Sequence, residues 1–198
     1  MTEQEKLNIL KLDPERIYNE YFISGEIWLF KSIHKEKWFE KYDEFKKFIS
    51  SNLGVHYNDI GVAGSAKLGF SLNPEKNLKD FDASSDVDII IVSRRLYEDF
   101  WREYLKDSYN PTAQIKNINK ISFGIFRKYI FLDGFRHNAY YEQWTKKTLG
   151  FENKIQLFFD IENEIHYRIF ESWDAVKDYY MKSIMDAKKN KENCNENN

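Results

Sequence analysis

Residues 86–93 read Asp-Val-Asp-Ile-Ile-Ile-Val-Ser and decide the fold class. The four consecutive apolar residues 89–92 are typical of a strand that is buried on both faces, as the central strands of a sheet are. Residues 94–107 follow directly, and their large apolar side chains recur at helical spacing. These residues therefore predict a central strand that passes directly to a helix.

Upstream of this strand the pattern predicts one helix and one further strand. Aromatic and aliphatic side chains at steps of three and four predict a helix over residues 35–53, with Gly54 as its C-cap. Residues 55–64 are expected to contain a short strand that runs into Gly64. The apolar stripe of the helix should face the sheet.

Downstream the pattern predicts a helix over residues 136–150 that is closed by Gly150. Residues 154–161 and 165–170 flank a polar turn, which predicts a β-hairpin. A last helix follows from Ser172. We expect residues 1–188 to form a single domain with N-terminal helices, and residues 189–198, which lack apolar content, to form a polar disordered tail.

The composition excludes several classes of protein. The net charge of −2 argues against a protein that coats nucleic acid or an anionic membrane through bulk electrostatics. No run approaches the ~20 apolar residues of a membrane span, and the acidic N-terminus is unlike a signal peptide. Cys194 is the only cysteine and has no intramolecular disulfide partner. These features predict a cytoplasmic protein without a membrane partner.

Asp86 and Asp88 are the strongest candidates for chemistry. They lie two residues apart at the entry to a strand, so both carboxylates point to the same side while Val87 points to the other. Carboxylates this close repel one another unless a cation compensates, and hard divalent ions bind through such oxygens together with substrate phosphates. The pair suits a two-metal site, in which ions ~4 Å apart hold the attacking and leaving oxygens of a phosphoryl transfer.

Gly64 and Ser65 form a second candidate element, a turn at the end of the preceding strand. A residue without a Cβ lets backbone N–H groups approach a phosphate, and the serine hydroxyl adds a donor. Such turns are common, so this element carries weight only together with the acid pair.

A strand, a Gly-Ser turn and then a hydrophobic strand opened by Asp-x-Asp resemble the signature of the polymerase-β type nucleotidyltransferase superfamily. The resemblance covers roughly residues 55–105. It implies an α+β, polymerase-β-like fold in which a short mixed sheet carries helices. It also implies that Gly64 and Ser65 hold the triphosphate of a nucleotide, that Asp86 and Asp88 bind Mg²⁺ or Mn²⁺, and that a third acid on a neighbouring strand completes the metal site.

The chain departs from that pattern in the connection between the turn and the acid pair, residues 66–85, which is longer than usual in the family. This loop contains Lys67, which we expect to help neutralise the triphosphate. Asp160, in the first strand of the predicted hairpin, is the preferred third metal ligand. Asp133 is the second choice and Glu162 the third.

The resemblance implies an enzyme that transfers NMP or dNMP from an NTP or dNTP to a hydroxyl and releases pyrophosphate. The acceptor is left open among a nucleotide, an oligonucleotide, RNA, a protein side chain and a small molecule such as an antibiotic. A compact bacterial protein of the toxin–antitoxin or anti-phage defence type, acting as a homo-oligomer or with a partner protein, is the expected setting. The alternative is a catalytically silent nucleotide-binding antitoxin or sensor.

Overall fold

The computed structural model describes residues 1–135 and 138–196, with side chains as far as Lys191. Its helices and strands, in chain order, are α1 (Glu3–Lys11), α2 (Pro14–Ile17), α3 (Trp28–His34), α4 (Trp38–Leu53), β1 (Ile60–Ala63), α5 (Gly64–Leu68), β2 (Val87–Val92), α6 (Arg94–Tyr109), α7 (Ile118–Phe126), β3 (Tyr129–Ile130), α8 (Ala139–Phe159), β4 (Ile165–Phe170) and α9 (Trp173–Glu196). A π-helical segment, Tyr18–Ile23, continues α2.

The four strands form one mixed sheet with the order β1-β2-β4-β3. β2 is central: it pairs antiparallel with β1 and parallel with β4. β3 pairs antiparallel with only the last two residues of β4. The expected α+β class, with a short mixed sheet carrying helices, is confirmed.

Each face of the sheet is covered by its own apolar layer. Val87, Ile89 and Ile91 of β2 belong to a core that also contains buried side chains of α3, α4, α6 and α8. Ile90 and Val92 point the other way, into a second core shared with α1, α2 and α9. Both faces of β2 are therefore buried, as its unbroken apolar run predicts.

Several predicted elements are confirmed. β2 and α6 follow one another as expected, and Ser93 caps α6 by accepting a hydrogen bond from the N–H of Leu96. α4 ends at Gly54, whose φ of +69° is the left-handed conformation of a glycine C-cap. The strand predicted within residues 55–64 is β1.

The predicted hairpin is wrong. Residues 154–159 are the end of α8, and only 165–170 form a strand, which pairs in parallel with β2. The reason is visible in the spacing: Phe151, Ile155 and Phe159 are all buried and recur every four residues, so they extend the apolar stripe of a helix. Gly150 does not end that helix, which continues past it to Phe159.

α9 extends to Glu196 and so includes most of the segment 189–198 for which a polar disordered tail is predicted. Residues 189–196 contain neither glycine nor proline, and their Lys and Glu residues favour helix. Residues 197 and 198 lie outside the described residues. None of the helices described combines the length and apolar content of a bilayer-spanning segment.

Candidate functional site

The Gly-Ser turn and the acid pair lie side by side in the structure. Ala63, the last residue of β1, pairs with Asp88 of β2, so the turn that follows β1 lies against the start of β2. Gly64 has a φ of +61°, and a Cβ built on it would lie 2.6 Å from Oδ2 of Asp88. Only glycine lets the backbone come this close to the carboxylate.

These residues line a cavity of about 320 Å³, which we call the Gly-Ser cleft. One part of its lining is the turn with the loop that follows it, and another part is α9. The residues lining the Gly-Ser cleft include Gly64, Ser65, Ser71, Asn73, Lys76, Asp86, Asp88, Arg168, Tyr179, Tyr180, Ser183 and Asp186. Its volume is at the lower end of the range of small-molecule sites.

The long connection between turn and acid pair is a packed structure. Phe70, Leu72 and Leu78 are buried in the core shared with α9. The buried ammonium of Lys6 donates to the carbonyl of Leu78 at 2.9 Å and forms a salt bridge with Asp80 at 2.6 Å. The cleft wall includes residues 71–74 and Lys76 of this loop, so the extra length builds one side of the candidate site.

Arg168 on β4 forms a salt bridge with Asp88. Its Nε donates to Oδ1 of Asp88 at 3.0 Å, and one terminal nitrogen donates to the hydroxyl of Tyr179 at 3.1 Å. Burial, the largest single influence, would lower the pKa of the guanidinium, but Asp88, Tyr179 and Tyr180 together outweigh burial and the pKa is raised. A fixed positive charge therefore lies beside Asp88.

A second group of side chains, of types that can bind a metal ion, lies around Asp86. In the register of β2 and β4, Asp88 is opposite His166, so Glu164 and His166 lie on the same face as the acid pair. His166 Nε2 lies 3.2 Å from Glu164 Oε1, and His166 Nδ1 lies 3.9 Å from Asp86 Oδ2. One ligand atom from each of these three residues lies within 4.8 Å of the others. The arrangement suits one divalent ion.

The structure does not bring the preferred third acid to this group. Asp160 is exposed at the C-cap of α8, with a φ of +52°, and it is absent from the lining of the Gly-Ser cleft. Glu162 is exposed in the loop between α8 and β4. The misassigned hairpin is the cause, because a strand over residues 154–161 would have placed Asp160 beside the acid pair.

Lys67 also points away from the Gly-Ser cleft. Its side chain is only 3% exposed, and its ammonium donates to the carbonyls of Ser24 and Gly25 at 2.9 and 3.2 Å. Burial lowers the pKa of Lys67 to about 8. It lines a different cavity, of about 510 Å³ and mostly apolar, beside the free edge of β1. That cavity is larger than the Gly-Ser cleft but contains none of the acids of the pair.

A pocket of about 310 Å³ lies on the other side of β4, beside the part that β3 does not cover; we call it the β4-edge pocket. Arg168 lines both this pocket and the Gly-Ser cleft. Its other ionisable lining residues include Glu152, Glu164 and His166, and its aromatic ones include Tyr141 and Trp144. Burial and the nearby Glu164 raise the pKa of Glu152. Asp133, the second choice for the third acid, also lines this pocket.

Two buried hydroxyls beside these cavities have no hydrogen-bond partner among the described residues: Tyr167, which lines the β4-edge pocket, and Tyr180, which lines the Gly-Ser cleft. Burial raises the pKa of both phenols, so they remain neutral donors. Buried polar atoms without partners are uncommon in native proteins and suggest a site for water or a ligand.

Sequence reasoning missed Arg168, Glu164 and His166. The signal was present in residues 164–168, where polar residues alternate with apolar ones. That alternation predicts one polar face, but the partner strand and its register cannot be read from a local pattern.

No family model, curated protein or solved structure matches this chain. The resemblance to the polymerase-β type superfamily therefore rests on the residues of the turn and the acid pair, and it stays a prediction.

Proposed function

We propose that the protein is a divalent-metal-dependent nucleotidyltransferase with a polymerase-β-like fold. The observation that carries the proposal is the contact of Gly64 with Asp88, which joins a candidate phosphate-binding turn to a carboxylate pair at the wall of one cleft. Phosphoryl transfer needs little from a protein beyond positioning and charge stabilisation. A turn, two carboxylates and a cation within one cleft are suited to that task.

In this proposal the triphosphate lies in the Gly-Ser cleft, with the Gly64-Ser65 turn, Ser71 and Lys76 as its nearest donors. The acceptor oxygen forms a bond to the α-phosphorus, the bond from that phosphorus to the bridging oxygen breaks, and pyrophosphate leaves with the electron pair. The acceptor's proton passes to solvent, because Asp86 is partly exposed and Glu164 is exposed, so water reaches this part of the site. A divalent ion held by Asp86, Glu164 and His166 would supply Lewis-acid charge beside the phosphate.

The β4-edge pocket is the proposed acceptor side, because it adjoins the Gly-Ser cleft through Arg168. Glu152 and Glu164 favour an acceptor that carries a positive charge as well as the reactive hydroxyl. Tyr141 and Trp144 offer flat apolar walls and attract cations. A small amine-bearing alcohol is therefore the preferred acceptor.

A second function is favoured by one observation, the salt bridge of Arg168 with Asp88. A carboxylate already neutralised by an arginine has less need of a metal ion. This supports a catalytically silent protein that binds a nucleotide in the Gly-Ser cleft, as an antitoxin or sensor would.

Incubation with each labelled NTP and dNTP, with Mg²⁺ or Mn²⁺ and a panel of amine-bearing and neutral alcohols, separates the two functions. The enzyme is expected to release pyrophosphate, and Asp86→Ala should abolish the release. Glu75→Ala, which removes an exposed carboxylate outside the Gly-Ser cleft lining, is the matched control and should retain activity. Nucleotide binding without pyrophosphate release under any condition would reject the enzyme in favour of the silent protein.

A further inference from the structure

The described site does not fit two metal ions. Two-metal phosphoryl transfer needs carboxylates that bridge or flank ions ~4 Å apart. Asp86 and Asp88 are present, but on the neighbouring strand the same face carries Glu164, His166 and Arg168. The side chain nearest to Asp88 on that strand is the guanidinium of Arg168, at 3.0 Å. An ion bound to Oδ1 of Asp88 would have to displace this cation.

Arg168 is held firmly at this place. It makes directional hydrogen bonds to Asp88 and to Tyr179, and the center of its guanidinium lies 5.8 Å from the ring centroid of Tyr179. Its side chain is 37% exposed and that of Asp88 only 20%, so solvent weakens their attraction less than it would at an open surface. The guanidinium is thus a built-in positive charge at the acid pair.

The guanidinium also keeps N–H groups that no described residue uses. An arginine has five N–H groups, and Nε and one terminal N–H are used by Asp88 and Tyr179, which leaves three. Because Arg168 lines both the Gly-Ser cleft and the β4-edge pocket, it lies at the junction of the two cavities. Planar arrays of N–H donors bind phosphate oxygens well.

We propose that Arg168 takes the place of the second divalent ion, so that the chain holds a single ion, beside Asp86. Asp88 then serves as the anchor that positions Arg168. This inference rests on the proposed function for its chemical meaning, but its test does not, because the number of bound ions is measured without nucleotide or turnover.

The charge at the site supports a single ion. Asp86, Asp88 and Glu164 bring three negative charges when ionised, and Arg168 cancels one of them. One divalent ion balances the remaining two, whereas a second ion would leave a positive excess before any nucleotide bound. Since His166 supplies an imidazole nitrogen beside Asp86, Mn²⁺ is a better probe than Mg²⁺, which prefers oxygen ligands.

The experiment counts bound Mn²⁺ by the loss of its free-ion electron paramagnetic resonance signal during titration of the full chain. We expect one ion per chain for the native protein and none for Asp86→Ala. Arg168→Asp replaces the cation by a third carboxylate and should raise the count to two. Arg94→Asp is the matched control: it makes the same charge change at an exposed arginine at the start of α6 and should leave the count at one.

Folding is checked on each variant by circular dichroism and thermal melting with and without Mn²⁺. If Arg168→Asp does not fold, Arg168→Ala removes the guanidinium without adding charge and should admit a second, weaker ion. Two ions on the native chain, none on it, or a count of one in both Arg168 variants would overturn the inference. If the chain binds one ion but never releases pyrophosphate, the single-ion inference stands and the proposed function is rejected.

Discussion

The α-carbon of Gly64 faces the carboxylate of Asp88 so closely that a Cβ at position 64 would lie 2.6 Å from Oδ2. The turn and the acid pair are therefore in close contact through Gly64 and Asp88. The backbone of Gly64, with a φ of +61°, is also one that other residues rarely adopt.

Gly64→Ala should damage both folding and the site. The added methyl group must displace Asp88 and forces a strained φ, so we expect the free energy of unfolding to fall by about 1–3 kcal/mol and nucleotide turnover by at least about tenfold. Urea denaturation and a pyrophosphate assay measure the two effects. Gly150→Ala is the control, because no atom lies within 4 Å of its added Cβ inside α8, and it should stabilise by about 0.5–1 kcal/mol.

Lys67→Met should alter the pH dependence of stability and leave nucleotide affinity unchanged. The pKa of Lys67 is about 8 in the folded chain, against an ordinary value of 10.5. Between these values the unfolded chain binds more protons, so the free energy of unfolding of the native protein rises with pH. The unfolding free energy of the native protein minus that of Lys67→Met should increase by on the order of 2 kcal/mol between pH 8 and pH 10.5. Denaturation of both proteins across this pH range tests the prediction. Weaker triphosphate binding by the variant would contradict the finding that Lys67 points away from the Gly-Ser cleft.

Asp88 and Arg168 should be coupled in stability. Removing either partner leaves the other charge partly buried and unpaired. The losses of unfolding free energy in Asp88→Ala and in Arg168→Met should therefore add up to more than the loss in the double variant. We expect a coupling energy of about 1–2 kcal/mol from a double-mutant cycle in urea. The exposed pair Arg94 and Glu98 provides the comparison, with a coupling of about 0.5 kcal/mol or less. Equal coupling energies in the two pairs would show that the Asp88–Arg168 salt bridge stabilises the fold no more than an exposed one does.

Tyr179 and Tyr180 are adjacent on α9 but should respond oppositely to loss of the hydroxyl. The hydroxyl of Tyr180 is buried without a partner among the described residues, so Tyr180→Phe should be neutral or stabilise by up to about 1 kcal/mol. The hydroxyl of Tyr179 accepts from Arg168, so Tyr179→Phe should cost about 1 kcal/mol. Thermal melts measure both. A destabilised Tyr180→Phe would mean that its hydroxyl has a partner in solution.

Local patterns were enough to predict the part of the site that is local in sequence. The apolar run after Asp88 predicts β2, and Gly64 ends the strand beside it, so the turn and the acid pair meet through one antiparallel pairing. The strand over residues 165–170 is predicted as well, but as half of a hairpin. Its parallel pairing with β2, which brings His166 opposite Asp88, depends on contacts 78 residues apart (166 minus 88).

The remaining errors share a physical cause. A short apolar run such as residues 154–161 fits either a strand or a helix, and the choice depends on packing against distant residues. Phe159, for example, packs its ring against Phe45 of α4. The direction of Lys67 depends likewise on carbonyls at Ser24 and Gly25, which no local pattern near Lys67 reveals.

The last helix has a consequence for biosynthesis. α9 supplies one wall of the Gly-Ser cleft, through Tyr179, Tyr180 and Ser183, and the ammonium of Lys188 donates to the carbonyls of Leu10 and Leu12 beside α1. A nascent chain that has emerged only as far as β4 can pair β1, β2 and β4 but has an open, half-formed cleft. A ligand that contacts both the Gly-Ser turn and α9 can therefore bind only after α9 has docked, which makes assembly of the cleft a late step in the life of each newly made chain.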